Sequence, residues 1–145
     1  MADRLLEILC EFERRHVGLF PDKQCKVFPS GEPSHFPWCG IEIAKHDPDP
    51  TGEPGQTTYA LTVTVEIYVQ ADDSGAGSSL VELLGLRRQS LNAMLADDAG
   101  NPLSGLVDMI DEGPMPIARA RLASKETMGL VLAYDIQYRD QRVSG

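Results

Sequence analysis

The chain has 145 residues, of which 42% are hydrophobic and 24% charged, a composition typical of one folded domain and not of a disordered or fibrous protein. Its formal net charge is −9 and its basic residues form only doublets, so direct binding to nucleic acid or to anionic lipid is not expected. We expect a single domain over residues 1–145 that needs no metal or disulfide to fold.

An amphipathic helix is predicted at the start of the chain, over residues 3–17. Its apolar positions are Leu5, Leu6, Ile8, Leu9, Phe12, His16 and Val17. On this stripe His16 is expected to pack against the core and not to act as a base. Charged residues interrupt the pattern at once, so it is not a signal peptide, and no segment reaches the length of a membrane span. These features predict a cytoplasmic protein.

Three strands, one of them short, and a long loop follow. A short strand is expected at 25–28, a strand at 38–45 with Cys39, Ile41 and Ile43 on one face, and a half-buried strand at 59–69. The segment 46–58 contains three prolines, two glycines and three acids, which predicts an exposed loop at the tip of a hairpin. In the strand 59–69 every second residue is apolar, and the alternate row is polar: Thr62, Thr64, Glu66 and Tyr68.

The second half of the chain predicts a helix and another hairpin. Ser79 and Glu82 match a capping box for a helix over 80–96, with a buried stripe of Leu80, Leu83, Leu84, Leu91, Met94 and Leu95. One helical turn is expected within 103–110. Alternating strands are predicted at 117–123 and 128–139, joined by a turn at 124–127. The predicted fold is therefore α+β, an antiparallel sheet of about four strands in two hairpins with two helices packed on one face.

No catalytic constellation is found in the sequence. Cys10, Cys25 and Cys39 are widely spaced and suit idle or buried thiols. A zinc site from Cys25, His35, Cys39 and His46 is the alternative, but only His35 and Cys39 have ligand spacing. Neither a calcium loop around Asp47, Asp49 and Glu53 nor a Ser30–His35 triad has the required context. We predict no enzyme activity, no cofactor and no metal.

The order of elements resembles that of the tail terminator, or tail completion, proteins of long-tailed bacteriophages, the lambda-type minor tail proteins. The resemblance spans nearly the whole chain: an opening amphipathic helix, the strand TYALTVTVEIYVQ, the helix LVELLGLRRQSLNAML, and the closing pair IARARLASKE and MGLVLAYDIQYR. The final alternating strand, ending in Tyr-x-x-x-Tyr-Arg, carries the resemblance furthest.

The resemblance implies a structural virion protein, made in the host cytoplasm and found in the phage tail. It would form a homohexameric ring that caps the tail tube, ends tube polymerisation and meets the head connector or neck proteins, while DNA passes through an acidic lumen without specific binding. Expected assembly-interface residues are Asp47, Asp49, Glu53, Thr62, Thr64, Glu66, Arg119 and Arg121. Two alternatives remain: another head-tail joining protein, or a small intracellular ligand- or metal-binding module that uses His35, Cys39 and His46.

Overall fold

A computed structural model describes residues 3–20, 24–29, 33, 35–49, 55–71, 76–98, 100–113, 117–122 and 125–141. Over these residues the elements in chain order are α1 (Arg4–Val17), β1 (Cys25–Val27), β2 (Trp38–Asp49), β3 (Gln56–Gln70), α2 (Ala76–Leu95), a 3₁₀ turn (Pro102–Gly105), β4 (Met109–Glu112), β5 (Ile117–Leu122) and β6 (Lys125–Gln141).

All six strands belong to one sheet in the order β1-β2-β3-β6, with β4 and β5 sharing the far edge of β6. β1 pairs with β2 in parallel, and every other pair is antiparallel. Along β6, residues 125–130 pair with β5 and residues 134–137 pair with β4. The predicted α+β class and both predicted hairpins, β2–β3 and β5–β6, are confirmed. Beyond the four strands of these hairpins the sheet contains β1, within the segment 25–28 where a short strand was expected, and β4, which was not predicted.

The core lies between the sheet and the two helices. On β3 every second side chain is buried, and the paired positions of β6 are buried on the same face. These rows are Leu61, Val63, Val65, Ile67 and Val69 on β3, and Met128, Leu130, Leu132, Tyr134, Ile136 and Tyr138 on β6. The alternation predicted for both strands is confirmed.

The helix α1 begins after Asp3, whose carboxylate accepts a hydrogen bond from the Leu5 backbone N–H at 3.0 Å. Its buried residues are Ile8, Leu9, Phe12 and His16, while Leu6 and Val17 are exposed. The buried apolar residues of α2 are Leu83, Leu86 and Met94. Leu80, Leu84 and Leu95, predicted to be buried, are partly exposed. The stripe predicted for α2 is therefore confirmed for Leu83 and Met94 and wrong for these three leucines, because the leucines of α2 form two stripes and only one of them faces the sheet.

A buried chain of polar groups joins α1, α2 and β6. The His16 Nδ1 lies 2.7 Å from the Phe12 carbonyl, which can only accept, so Nδ1 carries the proton. Burial lowers the pKa of His16, and the neutral ring accepts at Nε2 from the Ser90 hydroxyl, 2.7 Å away. The Tyr134 hydroxyl, 2.8 Å from Ser90, then donates to it. His16 is thus a packed residue, as predicted, and the side-chain polar atoms of His16, Ser90 and Tyr134 all have partners.

Ion pairs and hydrogen bonds also join α1 to α2 near the C-terminal end of α2. The Arg15 guanidinium donates to Glu11, to Asp97 at 2.8 Å and to the Ala93 carbonyl at 2.9 Å. Hydrogen bonds from Arg14 and Arg15 lower the pKa of Glu11 to about 2. These contacts tie α1 to the C-terminal end of α2.

Several predicted boundaries were wrong. β2 and β3 pair as far as Asp49 and Thr58, so the predicted loop 46–58 is shorter than expected; residues 50–54 lie outside the described part. The helix α2 begins at Ala76, and Ser79 sits inside it and donates to the Gln70 carbonyl at 3.3 Å instead of capping. The predicted helical turn at 103–110 contains a 3₁₀ turn followed by the strand β4. β6 begins at Lys125, inside the predicted turn.

A β-bulge interrupts β2 at Ala44, between Ile43 and Lys45. Ile43 pairs with Val63, but Lys45 already pairs with Thr62, so one residue of β2 is left without a partner in the ladder. The alternation of side chains along β2 therefore shifts by one residue at this point. As a result His46 falls on the helix side of the sheet, although simple alternation places it on the other side.

Candidate assembly surface

The face of the sheet opposite the helices is here called the open face. On β3 it carries Thr62, Thr64, Glu66 and Tyr68, all half-buried, in the single row that the sequence predicts. The Thr62 hydroxyl donates to the Asp135 carboxylate at 2.9 Å, and the Thr64 hydroxyl contacts the Glu42 carbonyl at 3.4 Å. Three of the predicted interface residues, Thr62, Thr64 and Glu66, are thus brought together at the centre of this face.

Two aromatic rings lie on the open face above glycines. A Cβ on Gly40 would be 2.5 Å from Cη2 of Trp38, and a Cβ on Gly129 would overlap the ring of Tyr68. The ring centroids of Trp38 and Tyr68 are 5.9 Å apart, with an angle of 41° between the planes. Because glycine has no side chain, both rings can lie against the backbone. The sequence signal for this arrangement is a glycine inside each of two strands, Gly40 in β2 and Gly129 in β6.

Two acidic side chains lie close together on the open face. Glu42 and Glu66 lie diagonally across the β2–β3 pair, since Gly40 pairs with Glu66 and Glu42 with Thr64. Burial, and then the charge of Glu42, raise the pKa of Glu66. Within the described residues, neither carboxylate forms an ion pair. Glu42 was not predicted as part of this surface. The sequence predicts its strand, but its position diagonal to Glu66 depends on the register of β2 against β3.

A second pair of acids lies further along the same face. Asp135 pairs directly with Asp111 across β6 and β4, and Lys45 occupies the other end of this row beyond Thr62. Arg139 donates to both carboxylate oxygens of Asp108, at 3.0 and 3.2 Å. Like charges opposite each other in a sheet repel, so this row favours a negative potential above the sheet.

The other predicted interface residues do not join this cluster. Asp47 is exposed on β2, 3.6 Å from Lys45, and pairs with Ala60. Asp49 pairs with Thr58 at the end of the strand, and Glu53 lies outside the described residues. On β5, Arg119 pairs with Met128 and Arg121 with Glu126, at the β6 edge away from the polar row of β3.

Three aromatic rings stack on the helix side of the sheet, towards the β2–β3 connection. The rings of His46, Tyr59 and Tyr138 are nearly parallel, with His46 4.8 Å from Tyr59 and Tyr59 5.1 Å from Tyr138. The His46 Nε2 lies 2.6 Å from the Tyr138 hydroxyl. Burial raises the pKa of Tyr138, and the charge of Tyr59 adds to this effect. The stack stiffens the extended end of the sheet.

The residues considered for metal binding are separated. Cys39 is buried and pairs with Cys25 across β1 and β2. The Cys39 thiol donates a hydrogen bond to Cys25, and this bond and burial raise the pKa of the Cys39 thiol, which favours the inert protonated form. His46 lies seven residues further along β2, at the stacked end. Within the described ranges, no group of three or more His, Cys, Asp or Glu side chains could hold a metal ion.

No helix among the described residues is long and apolar enough to cross a membrane. The comparisons with known proteins give no relative: no protein-family model matches the chain, and no curated protein matches it significantly.

Proposed function

We propose that this protein is a ring-forming structural protein of a phage tail, a terminator that caps the tail tube and meets the head connector. The proposal starts from the order of elements in the sequence. The observation that carries it is the open face: in the described part of the chain, helices cover the long-stranded sheet on one side only, and the other side carries two close pairs of carboxylates.

The strands are long enough to form the wall of a ring. β3 has 15 residues and β6 has 17, and they pair over residues 56–70 and 127–141. At about 3.3 Å per residue, 15 residues span about 50 Å, against the five or six residues of an ordinary strand. The two helices, of 14 and 20 residues, are only about 21 and 30 Å long at 1.5 Å per residue. The strands are therefore longer than the helices that pack on them. The excess supports a role in which the sheet itself is the working surface.

The charge of the open face supports its placement towards a DNA channel. Glu42, Glu66, Asp111 and Asp135 would repel phosphates, so DNA could pass without being held. Of the basic residues on this face, Arg139 donates to Asp108 and Lys45 lies 3.6 Å from Asp47, while Lys26 is exposed on β1 beside Gly40. We propose that the open face lines the lumen of a homohexamer and that the helices lie on the outside. The tail tube and the neck proteins are then the partners above and below the ring.

The alternative of another head-tail joining protein shares these features, since it also requires a ring around DNA. A small ligand- or metal-binding module is favoured less, because Cys39 is buried on the helix side and His46 is far along the same strand. A module of that kind would also require a pocket around these residues.

The mass of the purified protein, measured by light scattering over a range of concentrations, tests the proposal. Negative-stain images of the large species are the second measurement. A closed ring with a central hole that does not bind a labelled duplex DNA is the expected result. A closed ring that binds DNA tightly at physiological salt would contradict the lumen assignment. A compact dimer without a hole would contradict the terminator function itself.

A further inference from the structure

Each helix carries an uncovered apolar stripe in addition to its buried one. On α1 the stripe is Leu6, Cys10, Glu13 and Val17, where Leu6 is 59% and Val17 44% exposed and the other two are exposed. Their spacing of four, three and four residues places them on one side of the helix. On α2 the stripe is Leu80, Leu84, Arg88, Leu91 and Leu95. Here Leu84 is 39% exposed, Arg88 is exposed and Leu91 is partly buried.

The two stripes lie at opposite sides of the helix layer. α1 packs over β1 and β2, and α2 packs over β3, β6 and β4. Arg15 of α1 contacts the Ala93 carbonyl on one side of α2, and the α2 stripe lies on the opposite side of that helix. Among the described residues, the two surfaces are therefore largely uncovered in one copy, and they face away from each other. Identical copies placed side by side bring them together.

The stripes are complementary when the two helices run antiparallel. If Glu13 of one copy lies opposite Arg88 of the next, Val17 lies opposite Leu84, because each is four residues away in opposing directions. In the same register Cys10 meets Leu91, and Leu6 meets Leu95, at the ends of the contact. One alignment therefore matches every apolar position of the α1 stripe and also the two charges, and of the α2 stripe only Leu80 lies beyond the end of α1. The parallel alignment places Cys10 opposite Gly85 and Val17 opposite Asn92, which loses these contacts.

The central charges have no partners of their own within the described part of the chain. Neither Glu13 nor Arg88 forms an ion pair there, in contrast to the neighbouring Glu11, Arg14 and Arg15. A charge pair enclosed by apolar contacts selects the register of helices, as polar positions do in coiled coils.

We propose that α1 of one copy docks antiparallel onto the α2 stripe of the next, with Glu13 paired to Arg88. The contact uses two different surfaces, so it is heterologous and generates a ring when the rotation closes. This inference rests on the proposed function, for which it supplies the subunit interface.

The test combines a charge exchange with site-directed cross-linking. Glu13→Arg and Arg88→Glu are each expected to raise the concentration at which the protein assembles by about tenfold or more, and the double variant to restore it. Gln89→Glu adds a negative charge at an exposed position outside the stripe and is the matched control, expected to assemble like the unmodified protein. All four variants change exposed residues, and circular dichroism confirms that each is folded.

For cross-linking, Cys10→Ala with Val17→Cys and Leu84→Cys is treated with a short bismaleimide. A ladder of covalent oligomers is expected, and Val17→Cys with Gln89→Cys in the same background should give none. If the protein forms a ring but these variants give no ladder and no charge rescue, the interface is wrong and the terminator function stands. If the ladder forms while images show only open chains, the interface stands and the ring function fails. A monomer at every concentration, with no ladder, overturns the interface.

Discussion

Replacing Ser90 by alanine removes the central link of the polar chain from His16 to Tyr134. Two buried atoms then lose their partners: Nε2 of His16 loses its donor, and the Tyr134 hydroxyl loses its acceptor. His16 and Tyr134 are both fully buried, so water cannot replace the serine without entering the core. An unsatisfied buried polar atom costs about 1–3 kcal/mol, so the free energy of unfolding should fall by about 2–6 kcal/mol.

Tyr134→Phe is the matched comparison, because it removes a hydrogen bond without leaving a buried donor unpaired. Ser90 can still donate to His16, so the expected loss is only about 0.5–1.5 kcal/mol. Urea unfolding followed by tryptophan fluorescence measures both variants through the single Trp38. The proton assignment would be refuted if Tyr134→Phe cost as much as Ser90→Ala. A loss below about 1 kcal/mol for Ser90→Ala would mean that the chain is not a buried network.

Three further predictions concern acid stability and the open face. Burial lowers the pKa of His16, so the stability that its neutral ring contributes is complete above pH 6.5, its ordinary pKa, and is lost as the pH falls through the lowered pKa. The stability contributed by the ionised Glu11 carboxylate is lost as the pH falls from 4.5 to about 2. Urea midpoints across pH 2–8 should show both declines, and a midpoint flat from pH 7 to 5 would contradict the first. Gly129→Ala should cost about 1–3 kcal/mol because the added methyl overlaps Tyr68, and Tyr68→Ala should recover part of that loss; an equal loss in both backgrounds would exclude the overlap. Glu66→Gln should raise the urea midpoint at pH 7, since the raised pKa shows that the charged form is disfavoured there, whereas a lower midpoint would indicate an unseen cation.

The central strands could be predicted because their burial is one-sided. β3 and β6 alternate without interruption, and a strand covered on one face leaves that period in its sequence. The short edge strand β4 has four residues, Met109–Glu112, and reads equally well as a helical turn. In the segment 46–58 the prolines and acids predict a loop, but Asp47 and Asp49 pair with β3. Polar composition indicates exposed side chains, and an exposed residue can still take part in backbone pairing between strands.

The candidate surface was predicted in part. The polar row of β3 followed from alternation, and its place opposite the helices followed from the fold class. The acids that meet it, Glu42 and Asp111, depend on strand register, which no local pattern supplies. The helix stripes were misassigned for a related reason: Leu80 and Leu84 have the same spacing as buried leucines, and only the packing of α1 beside α2 decides which side is covered.

The bulge at Ala44 gives β2 an uneven tolerance to changes in its length. Deleting Ala44 would leave a regular ladder in which Ile43 and Lys45 keep their present partners, so each side chain would remain on its own face. Inserting one residue beside it would instead require a wider bulge, or would turn His46 away from Tyr59. Natural variants of this strand are accordingly expected to lose a residue here more often than to gain one.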